Sequence, residues 1–124
     1  MSIDRVMVAA GAASSKTDDP TVVLDVGDLL GITDHFVITS GTNVRQVRTI
    51  AEEVERRVKE QGGDAPRYVE GLDDARWVLL DYGQFVVHVF LEEARHYYNL
   101  ERLWADAPRV EHPFSQTRRL AVEL

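Results

Sequence analysis

The sequence contains no cysteine. Disulfides, cysteine-ligated metals and thiol catalysis are thereby excluded. A reducing cytoplasm suits such a chain. Long apolar runs are missing too. The N-terminus, MSIDRVMVAAGAASSK, is interrupted early by Asp4 and Arg5, and its apolar run is short and Ala-rich. A secretory signal needs a basic start and then an unbroken apolar stretch. No segment approaches the roughly 18 apolar residues of a membrane-crossing helix. These absences predict a cytoplasmic protein with no membrane partner. Positive charge is also scarce: 14 Lys and Arg stand against 21 Asp and Glu, a formal net charge of −7. Duplex-binding proteins draw most of their affinity from neutralising phosphates. Direct DNA binding is therefore not expected. An acidic domain is better matched to a basic protein, whose opposite field speeds encounter.

Catalytic signatures are equally sparse. Nucleotidyltransferases grip Mg²⁺ with two carboxylates one residue apart on a strand. That spacing occurs only in Glu53-x-Glu55, which falls on a predicted helix. His35, His88, His96 and His112 are scattered, with no His-x₃-His or His-Glu-x-x-His arrangement. His88 reads as a hydrogen-bonded sheet residue, not a ligand. No Gly-x-Ser-x-Gly elbow is present. One enzymatic feature remains. Ser40-Gly41-Thr42 ends a strand and begins a helix, where free N–H groups can hold a phosphate. The alternative is a plain strand-to-helix turn with a cap at Asn43.

What is present is the pattern of an ordinary globular domain. The chain has 124 residues, 44% hydrophobic and 28% charged, enough to bury a core without staples. Ile3, Val6, Met7, Ala10 and Ala13 recur at helical spacing, predicting a helix over 3–16 with Ser2 as its cap. TVVLDV (21–26) and DHFVITS (34–40) read as strands. The link 27–33 is too short for a helical crossover, so these strands are antiparallel neighbours.

Asn43 and Gln46 have capping-box spacing and open the longest helix. Val44, Val47, Ile50, Ala51, Val54 and Val58 form its apolar stripe, and Glu52–Arg56 and Glu55–Lys59 are i,i+4 pairs on the wet side. Gly62 and Gly63 end it. Arg67–Glu70 is a short strand. A right-handed crossover makes it parallel to the strand before the helix.

RWVLLDY (76–82) and FVVHVFL (85–91) are strands joined by a turn at Gly83. Both are apolar at nearly every position, which predicts cover on both sheet faces. Residues 92–104 are helical with a break near Asn99. The architecture is α-β-β-α-β-β-β-α. It is an α/β (mixed α+β) domain over 1–106, with helices packed on a single mixed sheet of about five strands. Residues 107–124 carry Pro108 and Pro113 and no clear period, and form a tail that is mobile or draped over the domain.

Trp77, Tyr82, Tyr97, Tyr98 and Trp104 cluster late in the chain. Tyr97 reads as core. Trp77 and Tyr82 begin and end a strand where the sheet meets solvent. Position alone allows either core packing or the aromatic anchoring common at interfaces.

Several stretches resemble the ribosomal silencing factors, the Iojap-like family. Asp34-x-Phe-Val-Ile-x-Ser-Gly followed by Arg45-Gln46-Val47-x-x-Ile50-Ala51 is similar to the family's first signature. Its second is matched by Val69-Glu70-Gly71, Trp77-Val-Leu-Leu-Asp81-Tyr82-Gly83, Val86-Val87-His88-Val89-Phe90, Glu92-Glu93-x-Arg95 and Tyr98-x-Leu100-Glu101-x-Leu103-Trp104. The likeness runs in order from Val22 to Asp106.

It implies a nucleotidyltransferase-like fold without catalytic carboxylates, hence no enzyme and no cofactor. It implies binding to ribosomal protein fourteen of the large subunit. The bound factor then blocks small-subunit joining and represses translation when nutrients run short. Homodimers are implied as well. Organellar relatives act in large-subunit maturation and carry long leading segments, so the resemblance favours a bacterial protein. By position, Trp77, Asp81, Tyr82 and His88 correspond to the partner contact. Arg76, Glu70, Gly71, Leu100 and Trp104 are further members. Trp77 and Tyr82 are expected to be partly exposed on one side of the sheet. The competing readings are a nucleotide-binding or nucleotidyltransferase-like enzyme using Ser40–Asn43, and a ribosome assembly factor.

Overall fold

The longest helix, α3 (Val44–Glu60), starts where the Asn43 side chain accepts the Gln46 amide at 2.8 Å. That bond satisfies one of the donors a helix start leaves free. The computed structural model containing this helix describes residues 2–114. Val47, Ile50, Ala51, Val54 and Val58 are buried along the α3 stripe. Gly62, with φ of 85°, ends the helix in the left-handed region that favours glycine.

The expected ion pairs on this helix are replaced by others. Glu53, almost fully buried, pairs with Arg56 and Arg57 at 2.8 and 2.7 Å, and Arg56 also reaches Glu60. Glu53 sits one residue nearer the core side than Glu52, so both arginines fold inward over it. The guanidiniums of Arg56 and then Arg57 hold its carboxyl down at about 2.

Five strands form one mixed sheet: β1 (Val22–Asp25), β2 (His35–Gly41), β3 (Tyr68–Glu70), β4 (Trp77–Asp81) and β5 (Phe85–Leu91). Their spatial order is β1-β2-β5-β4-β3. β1 is antiparallel to β2, as the short link requires. That link also holds a single helical turn, α2 (Gly27–Leu30). β2 runs parallel to β5, which is antiparallel to β4, which is antiparallel to β3. β3 thus keeps the expected direction relative to β2. It lies at the far edge, however, with β5 and β4 inserted between them.

β5 is the central strand, and this explains its composition: Phe85, Val87, His88, Val89 and Phe90 are all buried. One face of the sheet carries α1 (Ser2–Ser14) and α3, packed over Val23, Val37, Val78, Leu80, Val87 and Val89. The other face carries α4 (Glu92–Tyr98) on β5 and β2. Next to it lies α5 (Leu100–Leu103), set off by Asn99 in the left-handed conformation, with φ of 47°. This second layer stops short of the β4 and β3 side. β4 therefore alternates, with Val78 and Leu80 buried and Trp77, Leu79 and Asp81 half-buried. The expectation of cover on both faces holds for β5 and fails for β4.

Beyond α5 the chain returns to the β1 edge. Asp25 N–H donates to the Pro108 carbonyl and Val110 N–H to the Val23 carbonyl, both at 2.8 Å. His112 is buried and its Nε2–H donates to the Thr21 carbonyl at 2.7 Å. Phe114 lies against Gly11 of α1, where an added Cβ would approach its ring to 3.1 Å. Residues 107–114 are thus draped along the sheet edge. The rest of the expected tail, 115–124, lies outside the described residues.

Candidate interaction face

Strand alternation decides which side chains share the open face. On β4 these are Trp77, Leu79 and Asp81. Register places Phe90, His88 and Val86 of β5 beside them, with Tyr68 and Glu70 of β3 on the other flank. The α4–α5 layer covers the β1–β2 half of this face through Leu100 and Trp104, and Trp104 meets Phe36 edge-on at 5.5 Å. What stays open is a strip of Tyr68, Glu70, Leu79 and Asp81 bordered by Trp77 and Tyr98.

Trp77 is held at the inner border of this strip. Its ring packs against Phe90 at 4.9 Å and Tyr98 at 5.0 Å. Its indole N–H donates to His88 Nδ1 at 3.1 Å. His88 is only 4% exposed and also meets Phe36 edge-on at 4.6 Å. Burial pushes its pKa down to about 4, so the ring is neutral near pH 7. Neutrality is what lets Nδ1 accept the indole proton.

The positions expected to meet a partner divide into distinct roles. Trp77, Glu70 and Asp81 line the open strip. The Asp81 carboxylate also closes the β4–β5 turn by accepting the Gly83 amide at 2.7 Å. His88 lies beneath Trp77 and is too buried to touch a partner. Leu100 and Trp104 belong to the covering layer. Arg76 is exposed and pairs with Glu93 of α4 at 3.2 Å. Gly71 has φ of 87°, and an added Cβ would collide with the Trp77 carbonyl oxygen. Its role is the close approach of the β3–β4 connection.

Tyr82 is the correction. It follows Trp77 by an odd number of residues and so faces the opposite side, packed on the α1–α3 core. Its ring stacks on Phe85 at 4.7 Å, and its buried hydroxyl has no partner among the described residues. Burial, then the charge of Glu55, raises its pKa. Trp77 and Tyr82 are both half-buried but do not share a surface. Tyr97 corrects the other way: expected in the core, it is 80% exposed and meets Tyr98 edge-on. Tyr98, from the late aromatic cluster, is 49% exposed, and Tyr68, at 62%, is a member that position in the sequence did not single out.

The Ser40–Asn43 turn is occupied by the protein itself. Thr42 N–H donates to Gln46 Oε1 at 2.6 Å, and Gln46 N–H to Asn43 Oδ1 at 2.8 Å. Ser40 Oγ donates to Asp19 at 2.8 Å and accepts from Arg95 at 3.0 Å. Two of the N–H groups at this helix start, those of Thr42 and Gln46, already have acceptors within the protein. Among the described residues, no group of three or more His, Asp or Glu is arranged to hold a metal, and no helix is long and apolar enough to cross a membrane.

Comparison with known proteins agrees with the resemblance. The family model described as ribosomal silencing factor during starvation matches residues 1–122. The ribosomal silencing factor RsfS of Halalkalibacterium halodurans is 43% identical over 108 residues, covering 87% of this chain and 92% of that protein. The Bacillus subtilis protein of the same name is 40% identical over 111 residues, covering 90% and 93%. A crystal structure from Chromobacterium violaceum superposes with a TM-score of 0.79 at 32% identity, covering 83% of this chain and 85% of that one. The mixed five-stranded sheet and its helices are therefore shared with solved structures. By matched length and identity, this chain belongs to the ribosomal silencing factor family.

Proposed function

We propose that this protein binds the large ribosomal subunit through the open β3–β4–β5 face, by contact with ribosomal protein fourteen. Bound there, it keeps the small subunit from joining and represses translation under nutrient limitation in the cytoplasm. The observation that carries this reading is Trp77, a half-buried indole locked by His88 at the border of an open strip. Rigid aromatics in such settings are the usual hot spots of protein interfaces. Glu70 and Asp81 lie on the same strip, on a chain of net charge −7. A basic ribosomal protein complements that field.

The mechanism requires no bond to be made or broken. Trp77 supplies affinity, and the bulk of the domain occupies space the small subunit needs. The occupied Ser40–Asn43 turn supports a non-enzymatic reading.

The test is sedimentation. Purified protein is expected to travel with isolated large subunits and to lower the yield of joined ribosomes in a gradient. Failure to bind large subunits contradicts the proposal. Binding without any loss of joined ribosomes points to an assembly role instead. Ribosome profiles of a deletion strain, growing and starved, separate the two. If a homodimer forms through the same face, large subunits will dissociate it.

A further inference from the structure

On the opposite side from Trp77 lies a polar cavity of about 720 Å³. It sits at the end of the sheet formed by the 31–34 loop, the 64–67 loop and the β4–β5 turn. Typical small-molecule sites span roughly 300–1,000 Å³. Four features of its wall point to one ligand chemistry.

Arg5 of α1 and Arg67 both line it, and neither makes an ion pair among the described residues. Each lies down over a glycine: a Cβ at Gly63 would come within 2.8 Å of Arg5 Nη1, and one at Gly83 within 3.3 Å of Arg67 Nη1. Thr33 is 5% exposed, and its hydroxyl has no partner among the described residues. The Tyr82 hydroxyl, buried beneath the same wall, is also without a partner among the described residues. Buried hydroxyls are rarely left without partners in folded proteins. Asp34 and Asp64 also face the space. They are suited to accept from hydroxyl groups of a ligand. The stacked Tyr82 and Phe85 rings add an apolar surface.

We propose that this cavity binds a small phosphate ester, its phosphate held by Arg5 and Arg67 and its hydroxyls by Asp34 and Asp64. Guanidinium forks match phosphate geometry and form the stronger, charge-assisted hydrogen bonds. The site is separate from the Ser40–Asn43 turn and shares no residue with the Trp77 strip.

The experiment is calorimetric titration of the full chain with inorganic phosphate, ribose 5-phosphate and ADP. The expected result is saturable binding of at least one ester, tighter than inorganic phosphate. Arg5→Gln and Arg67→Gln each weaken it by at least about tenfold, while Trp77→Ala and the distant Arg102→Gln leave it unchanged. Thr33→Val serves as a second probe if Arg5→Gln does not fold. No saturable signal with any ester overturns the proposal, as does binding that both arginine variants retain. Binding of RNA but of no small ester also overturns it.

Discussion

Trp77 and His88 are joined by a hydrogen bond that crosses diagonally between neighbouring strands, from indole N–H to Nδ1 at 3.1 Å. The bond places the histidine proton on Nε2, a buried atom with no hydrogen-bond partner among the described residues. His88 therefore acts on a partner only through Trp77. It restricts the indole to one orientation and reduces the ordering that binding would otherwise demand.

Replacing His88 by Phe removes the acceptor and keeps the bulk. The indole N–H resonance of Trp77 is expected to shift in NMR spectra. Affinity for large subunits should fall by about fivefold, the scale of one lost neutral hydrogen bond. An unmoved resonance would show that the bond is absent in solution.

The same burial makes stability depend on pH. Folded His88 titrates at about 4, against 6.5 for an ordinary histidine. Between those values the unfolded chain binds a proton that the folded chain does not. Stability therefore falls as pH drops through this window and is flat with respect to His88 above it. Urea denaturation at pH 7 and pH 5 should differ by about 2 kcal/mol through this group, and His88→Phe should remove that difference. Glu53 has its own window. Its carboxyl titrates at about 2, so its stabilisation is complete above 4.5 and is lost only in stronger acid. It stays ionised at pH 5 and does not confuse the test.

Gly71→Ala tests the β3–β4 connection. Its φ of 87° and its closeness to the Trp77 carbonyl both oppose a Cβ. The cost should exceed about 2 kcal/mol, with a drop in Tm seen by calorimetry. Unchanged stability would mean that the backbone relaxes freely there.

Much of this fold was legible from local signals. The Asn43 cap, the Gly83 hairpin, the Asn99 break and the antiparallel β1–β2 pair all follow from short-range chemistry. Long-range facts were not legible. Nothing near Tyr68 records that β5 and β4 insert between β2 and β3. The run of β4 predicts double cover because nearly every position is apolar, yet on the open face α4 reaches only Trp77, through Tyr98, and Leu79 and Asp81 stay half-buried. The docking of 107–114 depends on unpaired groups of β1, far away in sequence. The candidate site fared similarly. Its residue types were visible, but Tyr82 was grouped with Trp77 by motif. Counting strand parity between 77 and 82 was enough to separate them.

The central claim is that one face of the sheet, centred on Trp77, meets the large subunit. Comparing Trp77→Ala with Tyr82→Ala tests it most directly. Dissociation constants for isolated large subunits are measured for each, with folding checked by circular dichroism. Trp77→Ala should weaken binding by roughly 30- to 700-fold, the equivalent of about 2–4 kcal/mol. Tyr82→Ala should bind as tightly as the parent. Retained affinity in Trp77→Ala, or a comparable loss in a folded Tyr82→Ala, would contradict the account.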